Sequence, residues 1–310
     1  MYNEVSIRQA LFRTRPRLFF APDFNGLVPN PFGTTVAVLH DLTALKLDNS
    51  SPKSSRDMST RLSDWRWRAY YRKLQRANHI VAISENAKQD AVRLLDIPSS
   101  RFTVIHHGVD HLRFYPCVGQ GIFAEQPPYF LNLGGRNENK NQERLLEAFA
   151  NAGTINPETQ LFFAGPWREH DHEWLRIRAR ELGLTERVSH IGYVADSDLP
   201  SLYGNALAFV FPSLEEGFGL PVLEAMASGA PVITSNRSSL PEVAGDAALL
   251  IDPYDIADLA LAMGRIALEP ELRRDLSIRG IARAQGFTWE ETAKRTALVL
   301  SQAAPPNERL

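Results

Sequence analysis

SLEEGFGLP (213–221) is the stretch on which the reading of this chain turns. It follows the apolar run ALAFVF (206–211), which reads as a buried strand, and it enters LPVLEAMAS (220–228), which reads as a helix stopped by Gly229. Gly217 and Gly219 let the backbone come close to a ligand. The helix start behind them presents free N–H groups and the positive end of the helix dipole, which suits a diphosphate. Pro221 fits a first helical turn, where its missing N–H would have no partner in any case. Glu216 precedes the helix and Glu224 lies about one turn inside it, so both can face one crevice at different depths. A carboxylate accepts two hydrogen bonds and so suits a pair of sugar hydroxyls. A Gly-x-Gly alone would read as a turn beside solvated glutamates; its place between strand and helix supports the functional reading. The dinucleotide pattern G-x-G-x-x-G is not completed, because Val222 holds the last glycine position, which argues against a nicotinamide-dependent dehydrogenase.

Outward from this stretch, strands and helices alternate. YFLNL (129–133), QLFFA (160–164), RVSHI (187–191), PVITS (231–235) and AALLI (247–251) read as further strands. Helices are expected over 143–150, 172–182, 254–268, 270–285 and 288–302. This is the rhythm of a doubly wound α/β domain. Ligands in such sheets bind beyond the carboxyl ends of the strands, so loops 134–141, 165–168, 192–196 and 212–220 are expected to line one crevice. In the first of these loops, GGRNENKN (134–141), Arg136 and Lys140 stand four apart beside Gly134 and Gly135. A guanidinium fork and an ammonium suit phosphate oxygens; a solvated polar loop is the competing reading.

The N-terminal part has strands at RLFFA (17–21), TTVAVL (34–39), HIVAI (79–83) and RFTVI (101–105), with helices over 59–77 and 84–95. Ser84 is the expected cap of the second helix, with Glu85 in its first turn. Residues 112–128 hold Pro116, Gly119, Gly121, Pro127 and Pro128 and little periodicity. The expected division is a first domain over 1–112, a linker over 113–127 and a second domain over 128–287, with helix 288–302 packing back on the first.

Composition bounds the function. At 310 residues the length suggests two domains of roughly 150 each. Lys plus Arg is 34 and Asp plus Glu is 36, a net charge of −2, which is a poor balance for a general nucleic-acid binder. Cys117 is the single cysteine, so an intrachain disulfide is excluded, and a reducing compartment fits. No apolar run approaches the roughly 18–20 residues that span a bilayer, and MYNEVSIRQALFRTRPRLFF does not read as a signal peptide. A cytoplasmic protein is expected. His106, His107 and His111, like His170 and His172, lack convincing ligand spacing, so no metal site is expected. Residues 53–76 carry eight Lys or Arg against Asp57 and Asp64, a balance of 8 − 2 = +6, interleaved with Trp65, Trp67, Tyr70 and Tyr71. An amphipathic helix with buried aromatics accounts for this; peripheral contact with an anionic membrane is the alternative.

Taken together these motifs resemble glycosyltransferase family 4, retaining sugar-nucleotide-dependent enzymes of the GT-B fold. EGFGLPVLE (216–224) is similar to that family's E-x7-E motif, and GGRNENKN to its G-x-R…K-N loop. The likeness continues through SLPEVAGDAALLIDP (239–253) and GFTWEETA (286–293), and back to His40-Asp41, IVAISENAK (80–88) and VIHHGVD (104–110). It covers about residues 34–302.

The resemblance implies two Rossmann-like domains facing a cleft. It implies that Gly135, Arg136 and Lys140 meet the donor diphosphate, with the two cations stabilising the leaving group without a metal. Glu216, with the backbone amides of Gly217, Phe218, Gly219 and Leu220, would hold the transferred sugar, and Glu224 the ribose diol. Tyr193 and Val194 would contact the base, and His40 would lie near the sugar. No protein nucleophile is expected, nor a glycosidase-type pair of carboxylates. The implied donor is a nucleotide-diphosphate sugar, leaning to GDP-mannose because EGFGLP after a K-N loop is similar to members that build surface polysaccharides. The implied acceptor is a glycan or a lipid-linked glycan. Only about 39 residues precede His40, so a shortened first domain is expected. Two other readings stay open: a donor-binding but catalytically incomplete partner of another transferase, and a GT-B epimerase or phosphorylase.

Overall fold

In a computed structural model, residues 4–23, 27–50 and 67–304 are described. The chain divides into unit 1, Met1–Gly108 with Trp289–Leu310, and unit 2, Val109–Thr288.

Unit 1 runs α1 (Glu4–Thr14), β1 (Leu18–Ala21), β2 (Thr34–Leu39), α2 (Thr43–Ser50), β3 (His79–Ala82), α3 (Glu85–Leu95) and β4 (Phe102–Val104). Its four strands are parallel in the order β1-β2-β3-β4. Ala37, Leu39, Ile80 and Ala82 are fully buried in the sheet. Ser84 caps α3 as expected, its Oγ accepting from the Ala87 N–H at 3.0 Å. α1 and α2 have no counterpart among the elements expected from the sequence. Leu11 is the buried residue of α1, so that helix carries almost no apolar periodicity to read. Of the helix expected over 59–77, residues 59–66 lie outside the described residues, as does most of the basic stretch. Residues 67–71 are helical and Arg72–Arg76 form a tighter 3₁₀ turn, with Tyr71 and Leu74 buried beneath exposed Arg72 and Arg76. In this part the amphipathic reading holds only partly: Tyr71 is buried and Tyr70 half-buried, but Trp67 is exposed at 38%.

Unit 2 begins with β5 (Tyr129–Leu133), α4 (Gln142–Asn151), β6 (Gln160–Ala164), α5 (Glu169–Glu181), β7 (Val188–His190), α6 (Leu199–Gly204) and β8 (Ala208–Phe211). It continues with α7 (Leu220–Ala227), β9 (Val232–Ser235), α8 (Leu240–Ala244), β10 (Leu249–Ile251), α9 (Ile256–Leu268) and α10 (Pro270–Ala284). All six strands are parallel, in the order β10-β9-β8-β5-β6-β7. Numbered within the unit this is the 3-2-1-4-5-6 Rossmann order, and the winding reverses between β5 and β8. Helices on both faces explain why the strands are apolar throughout rather than alternating: Phe130, Leu131, Phe163, Phe209, Val210 and Phe211 are all fully buried.

Residues 113–127, expected as a linker, are instead a strap on unit 2. Cys117 is buried and its N–H donates to the Ser228 carbonyl at 3.3 Å. The Gly119 N–H donates to Asn205 Oδ1 at 2.7 Å, and the Phe123 N–H to Ser201 Oγ at 3.2 Å. Prolines and glycines remove periodicity there, but side chains of α6 and its cap satisfy the strap's backbone in place of regular structure.

The last helix, α11 (Trp289–Ala303), belongs to unit 1 and packs on β1 and β2. Thr292 Oγ1 donates to the His106 carbonyl at 2.7 Å, and Arg295 Nη2 to that of Val104 at 2.8 Å. His107 packs between the rings of Trp289, 5.2 Å away, and His40, 5.8 Å away. Burial, with the neighbouring His40 and His106, lowers its pKa to about 4. A depressed histidine favours folding above its unfolded value near 6.5, and that contribution disappears as pH falls toward 4. The limit is about 3 kcal/mol. Unfolding midpoints in urea should therefore fall between pH 6.5 and 4 in the native chain, and His107→Asn should flatten the profile. Parallel profiles for the two would contradict this assignment.

Candidate functional site

In unit 2 the reversal of winding between β5 and β8 opens a crevice beyond their carboxyl ends. The loop after β5 carries Gly134 to Asn141, and the loop after β8 carries Pro212 to Gly219. Asn139 ties the two loops together. Its Nδ2 donates to the Glu215 carbonyl at 2.6 Å, and its Oδ1 accepts the Glu215 N–H at 2.9 Å. The Leu214 N–H donates to the Asn139 carbonyl at 2.9 Å. Ser238 clamps the far side, accepting the Glu216 N–H at 3.0 Å and donating to the Glu216 carbonyl at 2.7 Å. Gly219 enters α7 with φ at +116°, a backbone conformation that favours glycine, and an added Cβ there would meet the Leu240 Cδ2 methyl at 2.8 Å, which would have to shift.

The central contact joins two expected site residues. Lys140 Nζ lies 2.7 Å from Glu216 Oε1, and the two side chains are only 20% and 16% exposed. The ammonium also sits 4.6 Å from the centre of the Phe211 ring. Arg136, expected beside Lys140 on the diphosphate, is held separately. Its guanidinium carbon lies 4.0 Å over the Trp174 ring, and its Nη1 is 3.5 Å from Asp171 Oδ1.

Glu224 occupies the second turn of α7, where Tyr203 OH donates to its Oε2 at 3.0 Å. Burial raises the Glu224 pKa above the ordinary carboxylate value, against the opposing hydrogen bond of Tyr203 and charge of Arg113. Tyr193, on the loop after β7, is 77% exposed, and Val194 beside it is half-buried. Phe218 is buried, so its side chain serves the core while its backbone remains part of the loop. Gly135 and Gly217 are half-buried on the same two loops, as is Leu220 at the start of α7. His40 is in unit 1, where Nε2 donates to the Pro22 carbonyl at 2.9 Å. Asp41 beside it accepts the Thr43 N–H at 2.8 Å and opens α2. Among the described residues no group of three His, Cys, Asp or Glu could hold a metal ion.

Residues 119–283 match the family described as glycosyl transferases group 1, and residues 6–113 match glycosyltransferase family 4. The chain belongs to the group 1 glycosyltransferases. It is 32% identical over 293 residues to the O-antigen chain mannosyltransferase B of Escherichia coli, covering 90% of this chain and 72% of that one. It is 29% identical to the Escherichia coli serotype-specific mannosyltransferase WbdA over 84% of this chain, spanning about a third of that protein (32%). Among solved structures it superposes on sucrose-phosphate synthase from Thermosynechococcus elongatus with a TM-score of 0.78 at 24% identity, covering 96% of this chain and 76% of that one. That likeness establishes the fold: GT-B, with two Rossmann-like units. No helix among the described residues is long and apolar enough to cross a membrane.

Several residues that shape this candidate site carry no readable signal in the sequence. Asn139, Ser238, Tyr203, Asp171 and Trp174 act through partners 21 to 76 positions away, and no local pattern marks them. Glu224 offers a direct test of its environment. A carboxyl raised by burial favours folding while protonated, and that contribution is lost as pH rises through its folded value. Glu224→Gln should therefore raise the melting temperature at pH 7, with the gain vanishing near pH 4, where the native side chain is also neutral. A gain that persists unchanged at pH 4 would contradict the burial argument.

Proposed function

We propose that this glycosyltransferase moves a mannosyl residue from GDP-mannose to a glycan or lipid-linked glycan acceptor, with retention of anomeric configuration, in the assembly of a surface polysaccharide. The observation that carries the reading is the Lys140–Glu216 pair between two loops at the switch point of a complete Rossmann sheet. A cation and a carboxylate are thereby presented together where a nucleotide sugar's diphosphate and hexose would lie. The mannosyltransferase relatives favour mannose.

In this reading Arg136 and Lys140 take up the negative charge that grows on the diphosphate as the C1–O bond breaks, and no metal ion is required. The Glu216 carboxylate accepts from the hexose hydroxyls, with the Gly217–Leu220 backbone beneath them. Glu224 accepts from the ribose diol, and Tyr193 and Val194 border the base. The acceptor oxygen attacks C1 on the face the diphosphate leaves. Its proton passes to the departing phosphate oxygen, so no protein nucleophile is involved. The single cysteine fits a cytoplasmic setting. The basic stretch 53–76 would give peripheral contact with the anionic inner membrane face, measured by flotation with anionic against neutral vesicles.

Thermal unfolding with GDP, UDP and ADP tests the donor, since a ligand that binds the folded state raises the midpoint by mass action. GDP is expected to raise it most, and GDP-mannose to be turned over with an α-linked product. Preference for UDP would replace the donor, and binding without turnover at any acceptor would favour a donor-binding subunit.

A further inference from the structure

Arg136 is the third residue after β5, on a glycine-rich loop that gives an arginine no intrinsic direction. Its guanidinium nevertheless has a defined place, 4.0 Å over the face of Trp174. The Trp174 indole is itself held: its Nε1–H donates to Glu143 Oε2 at 3.0 Å. Glu143 is anchored in turn by Arg178, whose Nε lies 2.5 Å from Glu143 Oε1. The edge of the fork meets Asp171 Oδ1 at 3.5 Å, a long contact beside the face-on stacking. Asp171 cannot turn away, because its Oδ2 accepts the Arg168 N–H at 2.9 Å in the first turn of α5.

We propose that Trp174 is a positioning residue for the transfer reaction, a flat platform on α5 that holds the Arg136 guanidinium ready for the donor diphosphate. This rests on the reading of Arg136 as a diphosphate contact. An aromatic face attracts the cation without using its N–H donors. The planar fork therefore keeps donors free for phosphate oxygens, which a carboxylate partner in full bidentate contact would occupy. Holding the fork in one plane before the ligand arrives removes ordering entropy from the binding step. Lysine could not replace arginine here, since a compact ammonium does not stack.

The experiment is a double-mutant cycle read by calorimetric titration of GDP, with UDP and ADP in parallel because the diphosphate is common to all three. Trp174→Leu should weaken diphosphate binding about tenfold, equivalent to about 1.4 kcal/mol. Trp174→Phe keeps a stacking face and loses only the Glu143 bond, so it should stay within about threefold of the native chain. Trp174→Gln, which is polar and suits a half-buried site, covers the case in which the leucine variant does not fold. In an Arg136→Gln background, Trp174→Leu should add nothing, a result that a merely structural role would not produce. Equal losses in both backgrounds, or native affinity in both Trp174→Leu and Trp174→Gln, would overturn the platform. Native affinity in Arg136→Gln would overturn the site reading instead. Failure of the native chain to bind any of the three nucleotides would overturn both.

Discussion

Lys140→Ala and Glu216→Ala are each expected to lower sugar transfer at least about 100-fold, the scale seen when a single charge-stabilising group is removed from a transition state. The two residues are one ion pair at 2.7 Å with little exposure, so each single change also strands a charge. Removing one partner of such a half-buried pair leaves the other charge uncompensated and costs stability, whereas removing both costs less. Stability and activity should therefore separate. The double variant Lys140→Ala/Glu216→Ala should melt above either single variant and still be as inactive as they are. Melting curves and initial rates with one donor, on the same four proteins, decide the matter. Activity returning along with stability in the double variant would make the pair structural and remove both residues from the site.

The second large effect is expected at Asn141, and it concerns folding. Asn141 is buried in the left-handed conformation, φ +58°, at the start of α4. Its Nδ2 donates to two carbonyls, Pro212 at 3.1 Å and Pro253 at 2.6 Å, and its Oδ1 accepts from Arg144 Nη1 at 2.9 Å. One amide thus joins the loop after β5 to the loops after β8 and β10. Asn141→Ala strands two buried carbonyls and places a residue with little tolerance for positive φ, a loss of about 2–4 kcal/mol. For a unit of this size that is a melting-point drop of roughly 5–15 °C. Asn141→Gly relieves the backbone while still losing the hydrogen bonds. A glycine variant nearly as unstable as alanine would assign the effect to the carbonyls; one that melts like the native chain would assign it to φ. No fall in either would refute the assigned role.

Much of unit 2 could be read directly. Its six strands lie where short apolar runs predicted them, because a parallel sheet covered on both faces must be apolar at consecutive positions. Ser84 and Gly219 carried local signals, since a cap and a positive φ are demands on single residues. The helices α1, α6 and α8 were not legible. They are short or bury little, and their position comes from what they pack on. The supposed linker misled for a related reason: proline and glycine end periodicity but say nothing about whether Asn205 and Ser201 will satisfy the backbone.

The sequence by itself determined the class of fold, the family, and which loops carry cations, carboxylates and glycines. Those follow from periodicity and from motifs a few residues long. Only the tertiary structure decided the pairing. Glu216 closes on Lys140 from 76 positions away, Trp174 and Asp171 take Arg136, and Tyr203 takes Glu224. The Lys140–Glu216 contact forms where parallel strands end side by side. Strand order, which no local stretch encodes, brings β5 and β8 together although β6 and β7 lie between them in the chain.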